Sequence, residues 1–285
     1  MKKLLLLLVP AWLSVSLWSC EKEIPDGNQT PDLEEFNMLL GNPSQAVSEI
    51  GSPNNYLITL PQYALSYNRS RGIPNWVSWY LNSSWIGNAP RQDDFRAYPD
   101  LPAGWYRVGN FDYVGSGFDR GHNCPSADRT ITIADNSATF YMINMIPQAP
   151  GVNQGPWERL ESYCRKLMRD GHELYIVMGN YGIGGIGTNG AAQTVSNGKV
   201  TVPAIVWKAI VVLPIGQDDI NRISTSTRLI AVSIPNQSVA ANLSWGDYRT
   251  TVNQIETATG YDLFSKIPVP IQNELEARKD TGPTE

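Results

Sequence analysis

Residues 155–169 read as an amphipathic helix and as little else. Trp157, Leu160, Cys164, Leu167 and Met168 recur at the spacing that gathers apolar side chains on one face. Pro156 suits a first helical position, where no backbone N–H is needed, and Gly171 suits a stop. Residues 173–178 come next as a buried strand, so this helix must lie against a sheet. Further strands are predicted at residues 64–67, 76–81, 200–202, 205–213 and 228–234. Residues 71–74 are expected to form a turn, and Pro203 to mark an edge or bulge. A short helix is expected at 250–256, and residues 260–267 close the domain. Residues 82–113 are polar and broken by Pro and Gly, which predicts long loops.

The flanks carry different signals. Lys2 and Lys3 precede an apolar run that ends at Trp18, so residues 1–19 read as an export signal rather than a membrane span. Leu17-Trp18-Ser19-Cys20 resembles a bacterial lipoprotein signal, with Cys20 as the lipidated mature terminus and Trp18 a poor fit to the usual small residue. The expected location is therefore a membrane-anchored lipoprotein, periplasmic or at the cell surface, or else a secreted protein. Residues 20–54 are rich in Glu, Asp, Pro, Asn and Gly and are expected to form a flexible tether. The folded domain is placed at 55–268 and a loose tail at 269–285. Nine Trp and thirteen Tyr suggest a β-containing fold with aromatic-rich surfaces.

Only two histidines are present, His122 and His172. A three-histidine zinc site is excluded, and no HExxH motif occurs. His172 comes after Asp170-Gly171 and reads as a turn residue. His122 lies in the polar run Asp119-Arg120-Gly121-His122-Asn123, where Asp119 and Arg120 can orient it. A second polar stretch holds Asn144, Gln148 and Asn153, whose side-chain carbonyls are hard oxygen ligands or, equally, loop caps. On the helix, Glu161 sits at the edge of the apolar stripe with Arg165 one turn on, either as a structural ion pair or facing a polar cleft. Cys124 and Cys164 are compatible with a disulfide or with two buried thiols. The run Gly182-Ile183-Gly184-Gly185-Ile186-Gly187 matches G-x-G-x-x-G, but residues 188–199 lack helical periodicity, so the run reads as a flexible loop.

In order and spacing, residues 118–125 (Phe-Asp-Arg-Gly-His-Asn-Cys-Pro), 140–148, Asn153-Gln154-Gly155 with Trp157, and Leu160-Glu161 resemble the sugar-nonspecific DNA/RNA endonucleases of the ββα-metal class. Val202-Pro203, Trp207-Lys208 and residues 255–264 resemble later landmarks of that family. The resemblance implies an α+β fold: a central, mainly antiparallel sheet flanked by helices, with a ββα-metal finger. It implies DNA and RNA as substrates, Mg²⁺ as cofactor with Mn²⁺ as a substitute, and products with 5′-phosphate ends. By the same resemblance His122 is the general base, Asn153 the direct metal ligand, and Glu161 the holder of a metal-bound water. Asp119, Asn144, Gln148 and Arg165 are supporting groups near metal and substrate, and Arg120 organises the site. Arg91 is the expected phosphate contact, with Arg96 as the alternative. An unperturbed His122 would lose activity below pH of roughly 6.5. A net charge of −5 runs against nucleic-acid binding unless positive charge is concentrated locally. The competing expectation is a non-enzymatic surface lipoprotein that binds glycans or a protein partner through Trp and Tyr.

Overall fold

The structure is a computed structural model that describes residues 36–285. The expected export signal, Cys20 and the first part of the expected tether lie outside the described residues.

Six strands form one antiparallel sheet: β1 (Tyr56–Leu60), β2 (Tyr63–Asn68), β3 (Ile73–Leu81), β6 (His172–Tyr181), β11 (Ile205–Pro214) and β12 (Arg228–Pro235), in the order β1-β2-β3-β6-β11-β12. Every residue of β3 is buried. The central strands read as continuous apolar runs because both faces of the sheet are covered. On one face, Trp79, Ile176, Met178 and Ile210 share a core with Leu160, Cys164, Leu167 and Met168 of the long helix α2 (Glu158–Arg169). On the other, Trp76, Val177, Trp207 and Ala209 pack with residues of α3 (Val252–Thr259) and α4 (Val269–Ala277). A short helix α1 (Ile133–Ala138) lies in the long connection between β3 and α2.

The α+β fold with a mainly antiparallel sheet therefore stands, but several boundaries move. The turn expected at 71–74 ends at Gly72, which holds φ +65°. Pro74 instead lies in β3, opposite a register shift between Ser66 and Tyr67 where a ladder hydrogen bond is not required. Residues 36–54 are packed on the domain rather than forming a tether. Leu40 and Ala46 are buried on the α3–α4 face, and Asn37 donates to the carbonyls of Leu60 and Pro61 at 3.3 and 3.0 Å. The C-terminal segment is not loose either. Leu275 of α4 is fully buried, and Asp280 accepts from Arg228 at 2.9 and 3.0 Å. The glycine-rich run forms a hairpin of β7 (Gly185–Gly187) and β8 (Gly190–Ala192), and β9 (Thr194–Val195) pairs with β10 (Val200–Thr201). The expected aromatic-rich surface is not built by tryptophan among the described residues: Trp76, Trp79, Trp85, Trp105, Trp157, Trp207 and Trp245 are all buried, while Phe111 and Tyr106 are exposed.

Candidate active site

Two short strands, β4 (Asp119–His122) and β5 (Met145–Gln148), pair antiparallel beside the main sheet, with Asp119 opposite Gln148 and His122 opposite Met145. Gly121 is required between them, because a Cβ there would strike the Gln148 side chain. From β5 the chain passes through a helical turn, Pro150–Val152, into a π-turn, Asn153–Trp157, bent at Gly155 (φ −112°, ψ −114°), which leads into α2. Such turns often mark functional positions, because they re-aim side chains relative to a regular helix. The junction is held by the buried Asn236. Its carbonyl accepts from Ala149 N at 2.7 Å, and its amide donates to Pro147 and Pro203 carbonyls, each at 2.9 Å.

This strand–strand–helix unit brings Asp119 against Asn153. The Asp119 carboxylate accepts from the Asn153 amide at 2.8 Å and from the Gln154 amide at 2.9 Å. The carboxamide is thereby oriented by its NH₂ group, and among the described residues its carbonyl oxygen is the open end. Asp119, Arg120, Asn153 and Gln154 line a cleft of about 330 Å³ together with Arg91, Asp93, Phe95, Tyr113, Val114 and Phe118.

His122, half-buried, follows Asp119 and Arg120 on β4 and is not itself among the residues that line the cleft. Its ring meets Phe140 edge-on (centroids 4.8 Å, 86°) and Phe95 at 5.6 Å. The Arg91 guanidinium lies over Phe140 at 4.9 Å and that of Arg120 over Phe95 at 4.2 Å, so both cations flank the imidazole. Desolvation, then Arg91 and Arg120, push the His122 pKa down to about 3. Among the described residues, the buried Nε2 of His122 has no hydrogen-bond partner. These influences favour a neutral imidazole with a free ring nitrogen to lower pH than the roughly 6.5 expected of an unperturbed ring.

Arg91 and Arg96 separate clearly. Arg91 lines the cleft and donates to Asp93 (2.7 Å) and Ser126 Oγ (2.9 Å). Arg96 is not in the lining; it pairs with Asp94 at 2.7 Å and lies over Tyr141 at 4.0 Å. Arg120 also donates to the side-chain amide oxygen of Asn110, a partner that no local pattern in the sequence signals.

Glu161 and Arg165 do not pair with each other. Arg165 bonds Asp128 at 3.0 Å, and Glu161 faces Lys208 Nζ at 3.5 Å. Lys208 comes from β11, is 1% exposed, and lies over the Trp157 ring at 4.4 Å. Desolvation lifts the Glu161 pKa to about 7, with Lys208 the chief opposing influence. The sequence offers Lys208 only as part of a landmark; its partnership with Glu161 arises from the sheet.

Asn144 is a brace rather than a cleft residue. It is fully buried, its carbonyl accepts from Cys124 N at 3.0 Å, and its amide donates to Cys124 and Thr139 carbonyls, each at 2.9 Å. Its hydrogen-bonding groups are engaged by backbone just after His122, so none is left for substrate. Gln148 is also fully buried, but neither amide atom has a partner among the described residues. Cys124 and Cys164 are free thiols, and burial pushes both up to about 12, so neither is a nucleophile near neutral pH. His172 is remote in role: its Nδ1 meets the Leu167 carbonyl at 3.1 Å.

Among the described residues, no group of three or more His, Cys, Asp or Glu side chains could hold a metal. The donor set beside the cleft is instead one oriented carboxamide oxygen, with room for water. That suits a hard divalent cation that keeps most of its hydration.

A small strand pair feeding a kinked helix, with an oriented Asn and two arginines in one cleft, has the form of a ββα-metal nuclease site. The chain belongs to the DNA/RNA non-specific endonuclease family, whose profile matches residues 41–269. It is 48% identical to a nuclease of Nostoc sp. over 90% of this chain and 92% of that one. It is 29% identical to nuclease C1 of Cunninghamella echinulata, covering 81% of this chain and 92% of the relative. Human mitochondrial nuclease EXOG is 28% identical over 71% of this chain and 55% of its own length. The fold also matches a chain in a crystal structure of the EndoG/EndoGI complex, with TM-score 0.69 and 23% identity over 85% of this chain and 95% of that one. The protein is thus an enzyme, a hydrolase of nucleic acids, and its family implies a divalent metal.

Proposed function

We propose that this enzyme is a Mg²⁺-dependent, non-specific endonuclease of DNA and RNA in which His122 is the general base. The observation that carries this reading is the Asp119–Asn153 contact, which presents the amide oxygen of Asn153 within the cleft that Arg91 and Arg120 line.

Phosphodiester hydrolysis needs an activated water, a neutralised phosphate and a stabilised leaving oxygen. Imidazole kept neutral can take the proton from attacking water, and the orphaned Nε2 of His122 is the nitrogen available. Arg91, already in the cleft, binds phosphate oxygens through its guanidinium. Arg120 holds the cleft wall through Phe95 and Asn110 while adding positive charge. These local cations offset the chain's overall acidity for a polyanionic substrate. Asn153 is the residue that would hold Mg²⁺, with Mn²⁺ as a substitute. When bound, the ion supplies charge stabilisation to the phosphate and leaving oxygen without proton transfer. Glu161, when ionised, is the acceptor that orders nearby water. Products would end in 5′-phosphates.

The export signal at 1–19 and Cys20 would place this activity outside the cytoplasm, anchored to a membrane if Cys20 is lipidated. Mass spectrometry of the mature N-terminus from membrane fractions tests that. The binding-protein alternative loses part of its support because the described tryptophans are buried. The metal and product assignments are tested together. Asn153→Ala should weaken Mg²⁺ binding in calorimetry and reduce digestion, and wild-type fragments should ligate without prior phosphorylation. Unchanged Mg²⁺ affinity in Asn153→Ala would remove the ligand assignment, and fragments that need a kinase would remove the product assignment.

A further inference from the structure

Next to the cleft lies a second hollow of about 460 Å³ that the proposed chemistry does not use. Val114 lines both, so the two are continuous across one side chain. Phe111 stands on the rim of the hollow with 84% of its surface exposed, and Val114 is 68% exposed. Single exposed apolar residues are ordinary on protein surfaces. Here two of them flank a substrate cleft on a loop that is tied down at both ends.

The ties are specific. Asn110, the residue before Phe111, accepts from Arg120 of the β4 strand. Asp112, the residue after it, accepts from Gly109 N at 2.7 Å, from the Tyr106 hydroxyl at 2.6 Å, and from Ser196 Oγ. Further along, the glycine-rich hairpin braces the same loop. Thr188 N donates to the Gly117 carbonyl at 2.9 Å, the Asn189 amide donates to the Gly115 carbonyl at 2.9 Å, and a Cβ on Gly187 would collide with the Gly117 carbonyl. The G-x-G-x-x-G run thus serves as a buttress for the loop that carries Phe111.

The charge of the hollow indicates what it takes. No Lys or Arg lines it, and Asp112 does. A phosphate would be repelled there, whereas an uncharged planar ring would not. The phosphate-binding cations sit next door, in the cleft. A strand whose phosphate lies between Arg91 and Arg120 would extend a neighbouring nucleotide over Val114 towards Phe111.

We infer that Phe111 and Val114 form a base-stacking subsite that takes one unpaired nucleobase beside the scissile phosphate. This rests on the nuclease reading and narrows it, because only a strand with accessible bases can use the platform. Stacking of a base on an aromatic side chain is sequence-tolerant, in keeping with a non-specific enzyme.

The test compares a thymine 10-mer with an abasic 10-mer of the same backbone, using wild type, Phe111→Ala, Phe111→Leu and Phe111→Trp. KM is measured in Mg²⁺, and Kd in EDTA by fluorescence anisotropy. The wild type should favour the thymine strand in both measurements. Phe111→Ala and Phe111→Leu should lose that preference by roughly 5- to 100-fold, and Phe111→Trp should keep it. An unchanged preference in Phe111→Ala overturns the subsite while leaving the nuclease reading intact. No cleavage of either strand by wild type overturns the nuclease reading, and base-dependent binding in EDTA that is lost in Phe111→Ala would then still support the subsite.

Discussion

Two clusters of buried polar groups in this protein differ in how they are finished. In one, Arg222 bridges Glu173 (2.5 Å) and Asp219 (2.6 Å), and the hydroxyls of Tyr80 and Tyr175 donate to the remaining carboxylate oxygens. All four carboxylate oxygens are engaged. In the other, on the β4–β5 pair beside the cleft, His122 Nε2 and both amide atoms of Gln148 have no partner among the described residues. Buried polar groups are normally satisfied, so each one left open calls for a water, an ion or a ligand. The first cluster leaves only Arg222 Nε open among the described residues, whereas the second leaves three atoms open, all on the β4–β5 pair.

The largest effect should come from Lys208→Met. Removing one partner of a buried ion pair costs up to about 3–5 kcal/mol, here because Glu161 would lose its nearest cation and be desolvated with less to offset it. The double variant Lys208→Met/Glu161→Gln should recover much of the loss in urea melts. If the double variant is no more stable than the single one, the pair is not the unit described.

Arg222→Ala probes the finished cluster. Its guanidinium is 28% exposed, so a loss of about 1–3 kcal/mol is expected once solvent screening is allowed for. Specific activity at a temperature where the variant stays folded should not change. A large drop in turnover would erase the contrast between the two clusters.

Gln148→Met should have the opposite profile. Replacing an unsatisfied buried amide by an apolar side chain of similar length should hold or raise stability, by about 1 kcal/mol. Turnover should fall. A variant that is both less stable and fully active would show that the amide is structural.

The smallest effect concerns pH. The folded pKa of His122 is depressed to about 3 from its ordinary value of 6.5, so the unfolded chain binds a proton that the native state refuses. The resulting stability is present above pH 6.5 and is lost as pH falls towards 3. In metal-free buffer the melting temperature of wild type should drop more steeply across that window than that of His122→Phe. Parallel curves would mean that the imidazole is not desolvated as described.

Much of the molecule is legible along the chain, and the parts that are not share a cause. The apolar stripe of α2 and the runs of β6 and β11 are local patterns, and the elements lie close to where those patterns predict. Asp119, His122 and Asn153 stand out through order and spacing. Lys208 with Glu161, Asp128 with Arg165, Asn110 with Arg120, and the Asn236 clamp all join distant segments, and no local rule pairs them. The i,i+4 spacing of Glu161 and Arg165 misleads because each finds a buried partner off the helix. Polar composition makes the terminal segments look loose. Their few apolar residues, Leu40 and Leu275, suffice to dock them because they cover the same face of a sheet that α3 leaves incomplete.

The central claim is that His122 activates water in a metal-dependent cleft. The most direct measurement is plasmid digestion by wild type and His122→Ala, each with Mg²⁺ and with EDTA, on protein whose near-ultraviolet circular dichroism shows an intact fold. Loss of turnover by about 10²- to 10⁴-fold in His122→Ala, the range expected for a missing general base, and no digestion by either protein in EDTA, is the predicted result. Digestion at the wild-type rate by His122→Ala, or by wild type in EDTA, would contradict it.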